Sequence, residues 1–228
     1  MLFRSPLVEP QTLDAAVRLL AALGCRVHVP AAQTCCGALH QHNGLTEPAA
    51  RCARQNLDAF GATDAVVGVA SGCTAQLVEY DRLSSDARAK AFAGKARDIH
   101  AYIASHPALQ RLRFARLDAR VLLHTPCTLR NVVGDTGAVR QLLERIPGLQ
   151  VEAVEGGCCG AAGSYFLTQP ALADALLEPK LQQVRASPPA FLLSSNVGCA
   201  MHLAAGLRRA GIDVEVLHPL RLLAQQLG

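Results

Sequence analysis

A chain of 228 residues that is half hydrophobic and only 18% charged has room for one or two domains with a substantial buried core, and is too apolar to stay disordered. Its 22 Lys and Arg against 18 Asp and Glu leave a formal net charge of +4, too small and too dispersed to argue for nucleic acid. No apolar stretch is long enough to span a bilayer and the N-terminus lacks a signal-peptide pattern, so a cytoplasmic location is expected, where nine cysteines favour metal or redox chemistry over structural disulfides.

In chain order, Leu2-Phe3-Arg4-Ser5-Pro6-Leu7 predicts a short strand, a helical segment follows around Ala16 to Leu20, and residues 26–29 predict a second strand running into Cys35-Cys36-Gly37. An amphipathic helix is expected over 46–60, then an apolar strand over 65–69 leading to Ser71-Gly72-Cys73. Residues 95–104 look helical, and the run Arg111, Arg113, Arg116 and Arg120 reads as a solvated connector. From there the pattern repeats: Leu122-Leu123-His124-Thr125-Pro126-Cys127 answers the first strand, Ala138 to Leu142 the first helix, and residues 150–154 the second strand, ahead of Cys158-Cys159-Gly160. A helix over 169–184, a strand over 191–193 and then Val197-Gly198-Cys199 complete the second copy, with an added strand over 212–216 and a closing helix over 220–227.

The fold class expected is therefore α/β: two pseudo-repeated βαβαβα halves with parallel sheets, divided into 1–118 and 119–228. The cysteines fall where strands end, and in open α/β sheets the carboxyl edge is where ligands bind. Adjacent thiols such as Cys158 and Cys159 do not readily bridge each other, but both can face one soft-metal site.

In the second half Cys127, Cys158, Cys159 and Cys199, with His202 three positions further on, can converge on one metal centre; zinc and an iron-sulfur cluster both suit such donors. His202 reads equally as a ligand or as a helix-capping, partly buried histidine. The first half offers Cys35, Cys36 and Cys73 as a second possible site, but has Leu7 in the place of Cys127 and Gln76 in the place of His202. Cys25 and Cys52 read as packing residues. His40 and His42 are expected in solvent, and Ser164 and Tyr165 either near the site or packed beneath its loop. Gly156, Gly157 and Gly160 do not make a dinucleotide fingerprint.

A single Cys, then Cys-Cys-Gly, then Gly-Cys, in duplicate, resembles the cysteine-rich domain shared by the catalytic subunit of heterodisulfide reductase and the iron-sulfur subunits of glycolate and lactate oxidases. Cys35-Cys36-Gly37-Ala38-Leu39, His124-Thr125-Pro126-Cys127, Cys158-Cys159-Gly160-Ala161 and Asn196-Val197-Gly198-Cys199 carry the resemblance, which covers essentially the whole chain and is strongest to the C-terminal half of the glycolate oxidase iron-sulfur subunit. It implies an iron-sulfur cluster, of 4Fe-4S or non-cubane type, on Cys127, Cys158, Cys159 and Cys199, with His202 in the place of a final family cysteine. It also implies a subunit rather than a self-sufficient enzyme, working with flavin-containing oxidase subunits and a ferredoxin-type iron-sulfur protein, and peripheral to the inner face of the membrane only through them. The ferredoxin-like Cys-x-x-Cys-x-x-Cys segment of that family is not found in this sequence. Two other readings stand beside electron transfer: disulfide cleavage of the heterodisulfide-reductase kind, and a structural zinc protein.

Overall fold

A computed structural model of the chain describes residues 9–61, 63–84 and 86–228. The expected strand at 2–7, and with it Leu7, lies outside the described residues. The elements are α1 (Pro10–Ala22), α2 (Ala38–His42), α3 (Thr46–Ala59), β1 (Val66–Gly68), α4 (Ser71–Leu77), α5 (Tyr80–Leu83), α6 (Ala87–Lys95), β2 (Ala96–Asp98) and α7 (Ile99–Ala104). After a 3-10 turn at Pro107–Arg111 come β3 (Ala119–His124), a π turn at Leu129–Val133, α8 (Gly137–Leu143), β4 (Leu149–Ala153), α9 (Tyr165–Thr168), α10 (Pro170–Ala186), β5 (Phe191–Ser194), α11 (Val197–Arg209), β6 (Glu215–Leu217) and α12 (Pro219–Gln226).

The architecture is α/β with parallel sheets. β3 pairs with β4 and β5, and β5 with β6, giving the order β4-β3-β5-β6, while β1 and β2 form a separate parallel pair. Alternation along β3 explains how one strand serves two layers: Val121 and Leu123 enter the largest core with α1, α7, α8 and α12, and Leu122 faces the opposite core with Leu177, Leu181, Leu203 and Leu207. The first sheet has its own small core of Leu57, Val66, Leu77, Tyr80 and Phe92. Because α1 packs against α12, the beginning and end of the described chain share one apolar interior.

Three expectations need correction. Residues 26–29 are irregular rather than a strand, since no described segment offers them a ladder, and Val29 is exposed. The single helix over 95–104 is broken: Ala96–Asp98 pairs with β1, and Asp98 then caps α7 by accepting the His100 amide at 2.9 Å. The last strand is shifted toward the C-terminus, because the Ile212 amide is still occupied closing α11 on the Leu207 carbonyl. Among the described residues no helix is long and apolar enough to cross a membrane.

Candidate metal centre

Each Cys-Cys-Gly forms a tight turn. Gly37 and Gly160 both adopt φ of +86°, a left-handed conformation that strains any residue with a side chain. Both also sit against a helix: a Cβ on Gly160 would lie 2.6 Å from the Ala173 carbonyl oxygen, and one on Gly37 3.1 Å from that of Ala49. The turn points each glycine amide at the first thiol of its pair, 3.5 Å from Gly37 N to Cys35 Sγ and 3.3 Å from Gly160 N to Cys158 Sγ. The second thiol of each pair, Cys36 or Cys159, is buried.

Cys73 and Cys199 come from the first turns of α4 and α11, which begin just after β1 and β5. Asn196 caps α11 by accepting the Gly198 amide at 3.0 Å, and its Nδ2 donates to Ser71 Oγ at 3.3 Å. With Ser71 Oγ 3.0 Å from Thr128 Oγ1 and the Ser71 amide bonded to the Ser195 carbonyl, the two cysteine-bearing helix starts are joined across the repeats. Gly72 permits this approach, since a Cβ there would stand 2.8 Å from Asn196 Nδ2.

The consequence is one cavity of about 560 Å³ lined by Cys35, Cys36 and Cys73 from the first repeat and Cys127, Cys158, Cys159 and Cys199 from the second. The sequence treats these as two sites; the fold sets them around a single chamber. Ser164, Tyr165 and His42 also line it, and Ser164 Oγ donates to Asn43 Oδ1 at 2.9 Å, linking the repeats at its edge. Cys127, Cys158, Cys159 and Cys199 are present as thiols rather than disulfides.

The two buried thiols differ in their electrostatics. Cys159 is pulled down to about 4, chiefly by the hydrogen bond that the Cys199 thiol donates to it, with the His124 imidazole helping to overcome the cost of burial. Cys199 is raised for the reciprocal reason, and by its own burial. At Cys36 the hydrogen bond from Cys35 pulls down, but the bond with Cys73 and burial outweigh it and raise the thiol well above its ordinary value. Burial likewise raises Cys127, with Cys158 adding to the effect.

His202, expected at the centre, does not line the cavity: it is buried with Nε2 3.3 Å from the Ala173 carbonyl and its ring 5.7 Å from that of Phe166. Gln76, its counterpart, is buried as well. Cys25 is half-buried against the main core, with Tyr102 Oη and His106 Nε2 at 3.7 and 3.6 Å, and Cys52 packs beneath Gly37. His42 is exposed at the cavity wall.

Three contributors went unsingled in the sequence. Asn56 and Tyr80 hold the first turn: Asn56 Nδ2 donates to the Cys35 carbonyl at 3.1 Å and to Tyr80 Oη at 2.9 Å, and Tyr80 Oη donates to the Cys36 carbonyl at 3.0 Å. His124 ends β3 and lies with Cys159 and Cys199 in a buried group whose donor atoms are all within 4.8 Å of one another. Its position three residues before Cys127, beside a Pro-Cys turn, was the available signal.

The family model of the cysteine-rich domain matches residues 2–78 and again 121–204, the two repeats in turn. The chain belongs to the cysteine-rich domain family. Among individual members, this cysteine-rich protein is 34% identical to the probable glycolate oxidase iron-sulfur subunit of Bacillus subtilis (strain 168), over 95% of its own length and 51% of that protein's. It thus spans about half the length of that relative. It is 25% identical to lactate utilization protein A of Halalkalibacterium halodurans, covering 92% of this chain and 88% of that one, and 29% identical to lactate utilization protein A of Oceanobacillus iheyensis, covering 91% and 87%.

Proposed function

We propose that this cysteine-rich protein carries an iron-sulfur cluster and acts as the electron-transferring subunit of a complex that oxidises a small 2-hydroxy acid, of the glycolate or lactate type. The observation that carries the reading is the convergence of seven thiols on one cavity, five of them, Cys73, Cys127, Cys158, Cys159 and Cys199, in segments that follow parallel strands. The donors fit such a group: thiolates are soft ligands suited to iron-sulfur centres, the volume exceeds what one ion needs, and the buried His124, grouped with Cys159 and Cys199, has an Nε2 without a hydrogen-bond partner of ordinary geometry. Cys127, Cys158, Cys159 and Cys199 would hold the cluster, in 4Fe-4S or non-cubane form, with Cys35, Cys36 and Cys73 a second donor set across the same cavity. The names of the relatives support both the iron-sulfur group and the hydroxy-acid setting.

In this reading electrons arrive from a flavin-containing oxidase subunit and leave through a ferredoxin-type centre, the repeats dividing near residue 118. What the chain itself does is bind the cluster, fix its thiolates by backbone turns, and wall it off from bulk water on the side of the two cores. The test is anaerobic purification with iron and acid-labile sulfide analysis and paramagnetic resonance of the reduced protein. Iron with matching sulfide is the expected outcome; stoichiometric zinc without sulfide would replace the reading with a structural metal site.

A further inference from the structure

We infer that His124 is a ligand of the metal centre, its Nε2 binding the same metal ion as the thiolates of Cys159 and Cys199. This assignment rests on the metal-centre reading above and adds to it a nitrogen donor from the end of β3.

Four observations converge on it. His124 is the last residue of β3 and is buried, so its ring direction is fixed by the sheet rather than by solvent. In the β3-β5 register it pairs with Ser194, and its Nδ1 lies 3.1 Å from Ser194 Oγ, which is itself fully buried. A proton on Nδ1 donated to that hydroxyl leaves the Nε2 lone pair free, the tautomer that a metal-binding imidazole needs, with the outer nitrogen held by an oxygen. Nε2 then has no hydrogen-bond partner of ordinary geometry, and the imidazole acts instead on the Cys159 thiol. Finally, a ring nitrogen of His124 lies within 4.8 Å of Cys159 Sγ and Cys199 Sγ, and with Nδ1 taken up by Ser194 the nitrogen left for that space is Nε2.

The other described histidines that touch the cores are spent differently. His202 Nε2 meets the Ala173 carbonyl, and His218 uses Nε2 on the Val69 carbonyl and Nδ1 on the Leu220 amide. His100 has an unpartnered Nε2 too, but its Nδ1 is bonded to Asp98 and, among the described residues, it belongs to no cluster of metal-ligating side chains. In the duplicated sequence the residue answering His124 is Arg4, just as Leu7 answers Cys127. The nitrogen donor therefore belongs to the second repeat alone. A neutral imidazole in place of an anionic thiolate makes the centre easier to reduce, as in histidine-ligated iron-sulfur proteins.

The test uses the full chain, purified anaerobically with its metal and grown with 15N-labelled histidine. Pulsed paramagnetic resonance of the reduced protein is expected to show a strongly coupled histidine nitrogen that is retained in His202→Gln and lost in His124→Gln. His124→Cys, which puts a fifth thiolate where the imidazole stood, should keep the metal, lose the nitrogen signal and lower the reduction potential. Absence of histidine-nitrogen coupling in the parent protein, or its survival in both His124 variants, overturns the assignment while leaving an iron-sulfur reading intact. Should the protein hold zinc instead, the cluster reading fails, and imidazole scattering at the zinc edge, lost in His124→Gln or retained, decides His124 separately.

Discussion

At the scale of single residues, the duplicated cysteines do unequal work. Cys159 is buried, close to Cys199 and His124, and belongs to the repeat that keeps Cys127, so Cys159→Ser and Cys158→Ser are expected to abolish iron binding while Cys35→Ser leaves most of it; iron and sulfide per chain in the purified variants measure this. Equal loss from all three would mean that the shared cavity holds one centre ligated from both sides. The glycines predict a second asymmetry. Gly160→Ala puts a methyl 2.6 Å from a backbone oxygen at a φ of +86°, against 3.1 Å for Gly37→Ala, so the former should cost roughly 2–4 kcal/mol and the latter nearer 1–2, read from urea unfolding. The thiols and these glycines were legible in the sequence because they recur at matching positions. His124 and the Asn56–Tyr80 pair were not, because their roles depend on where a sheet register or a helix face aims a side chain, which spacing along the chain does not encode.

At the scale of elements, the strongly patterned helices α3, α10 and α12 and the strands β1, β4 and β5 stand close to where their periodicity put them. The failures have tertiary causes: β2 takes its extended form from pairing with β1, and residues 26–29 lack a described partner. One inter-element contact carries a pH consequence. His218 caps α12 through Nδ1 and donates Nε2 to the Val69 carbonyl beyond β1 at 2.8 Å, with the His100 ring stacked 5.4 Å away and Asp98 and Arg221 nearby. Burial, reinforced by His100, holds it down to about 3 from an ordinary 6.5. The unfolded chain therefore binds the extra proton between those values, so this contribution to stability is intact above pH 6.5 and falls as pH drops toward 3, by on the order of a few kcal/mol. The urea midpoint measured from pH 7 to pH 4 should fall for the parent chain, and in His218→Asn, which can still cap the helix, the slope should be shallower by about one proton. An unchanged slope would remove His218 from the acid sensitivity.

At the scale of the whole molecule, the proposed docking face is the cavity edge, since a cluster exchanges electrons only with a centre brought close to it. Between the cavity-lining Tyr165 and Thr168, Leu167 of α9 is 71% exposed, and Leu172 and Leu176 of α10 and Leu45 in the loop just after α2 are exposed as well. With so little net charge on the chain, association with a flavin or ferredoxin-type subunit should be driven by apolar contact and change little between low and physiological salt, as a titration at several ionic strengths would show. A collapse of affinity over that range would shift the contact to His40, His42 and the Arg111 to Arg120 run. The joined helix starts at Ser71 and Asn196 have a further consequence, for assembly in time. Thiols drawn from positions 35 to 199 meet only after parallel strands far apart in sequence have paired and the two repeats have closed on each other, which places the chamber among the slow, non-local events of folding. Parting of the repeats opens the chamber to solvent from its first-repeat side, so the access of a thiol reagent to its cysteines serves as a built-in clock for the last cooperative step in making or breaking the native chain.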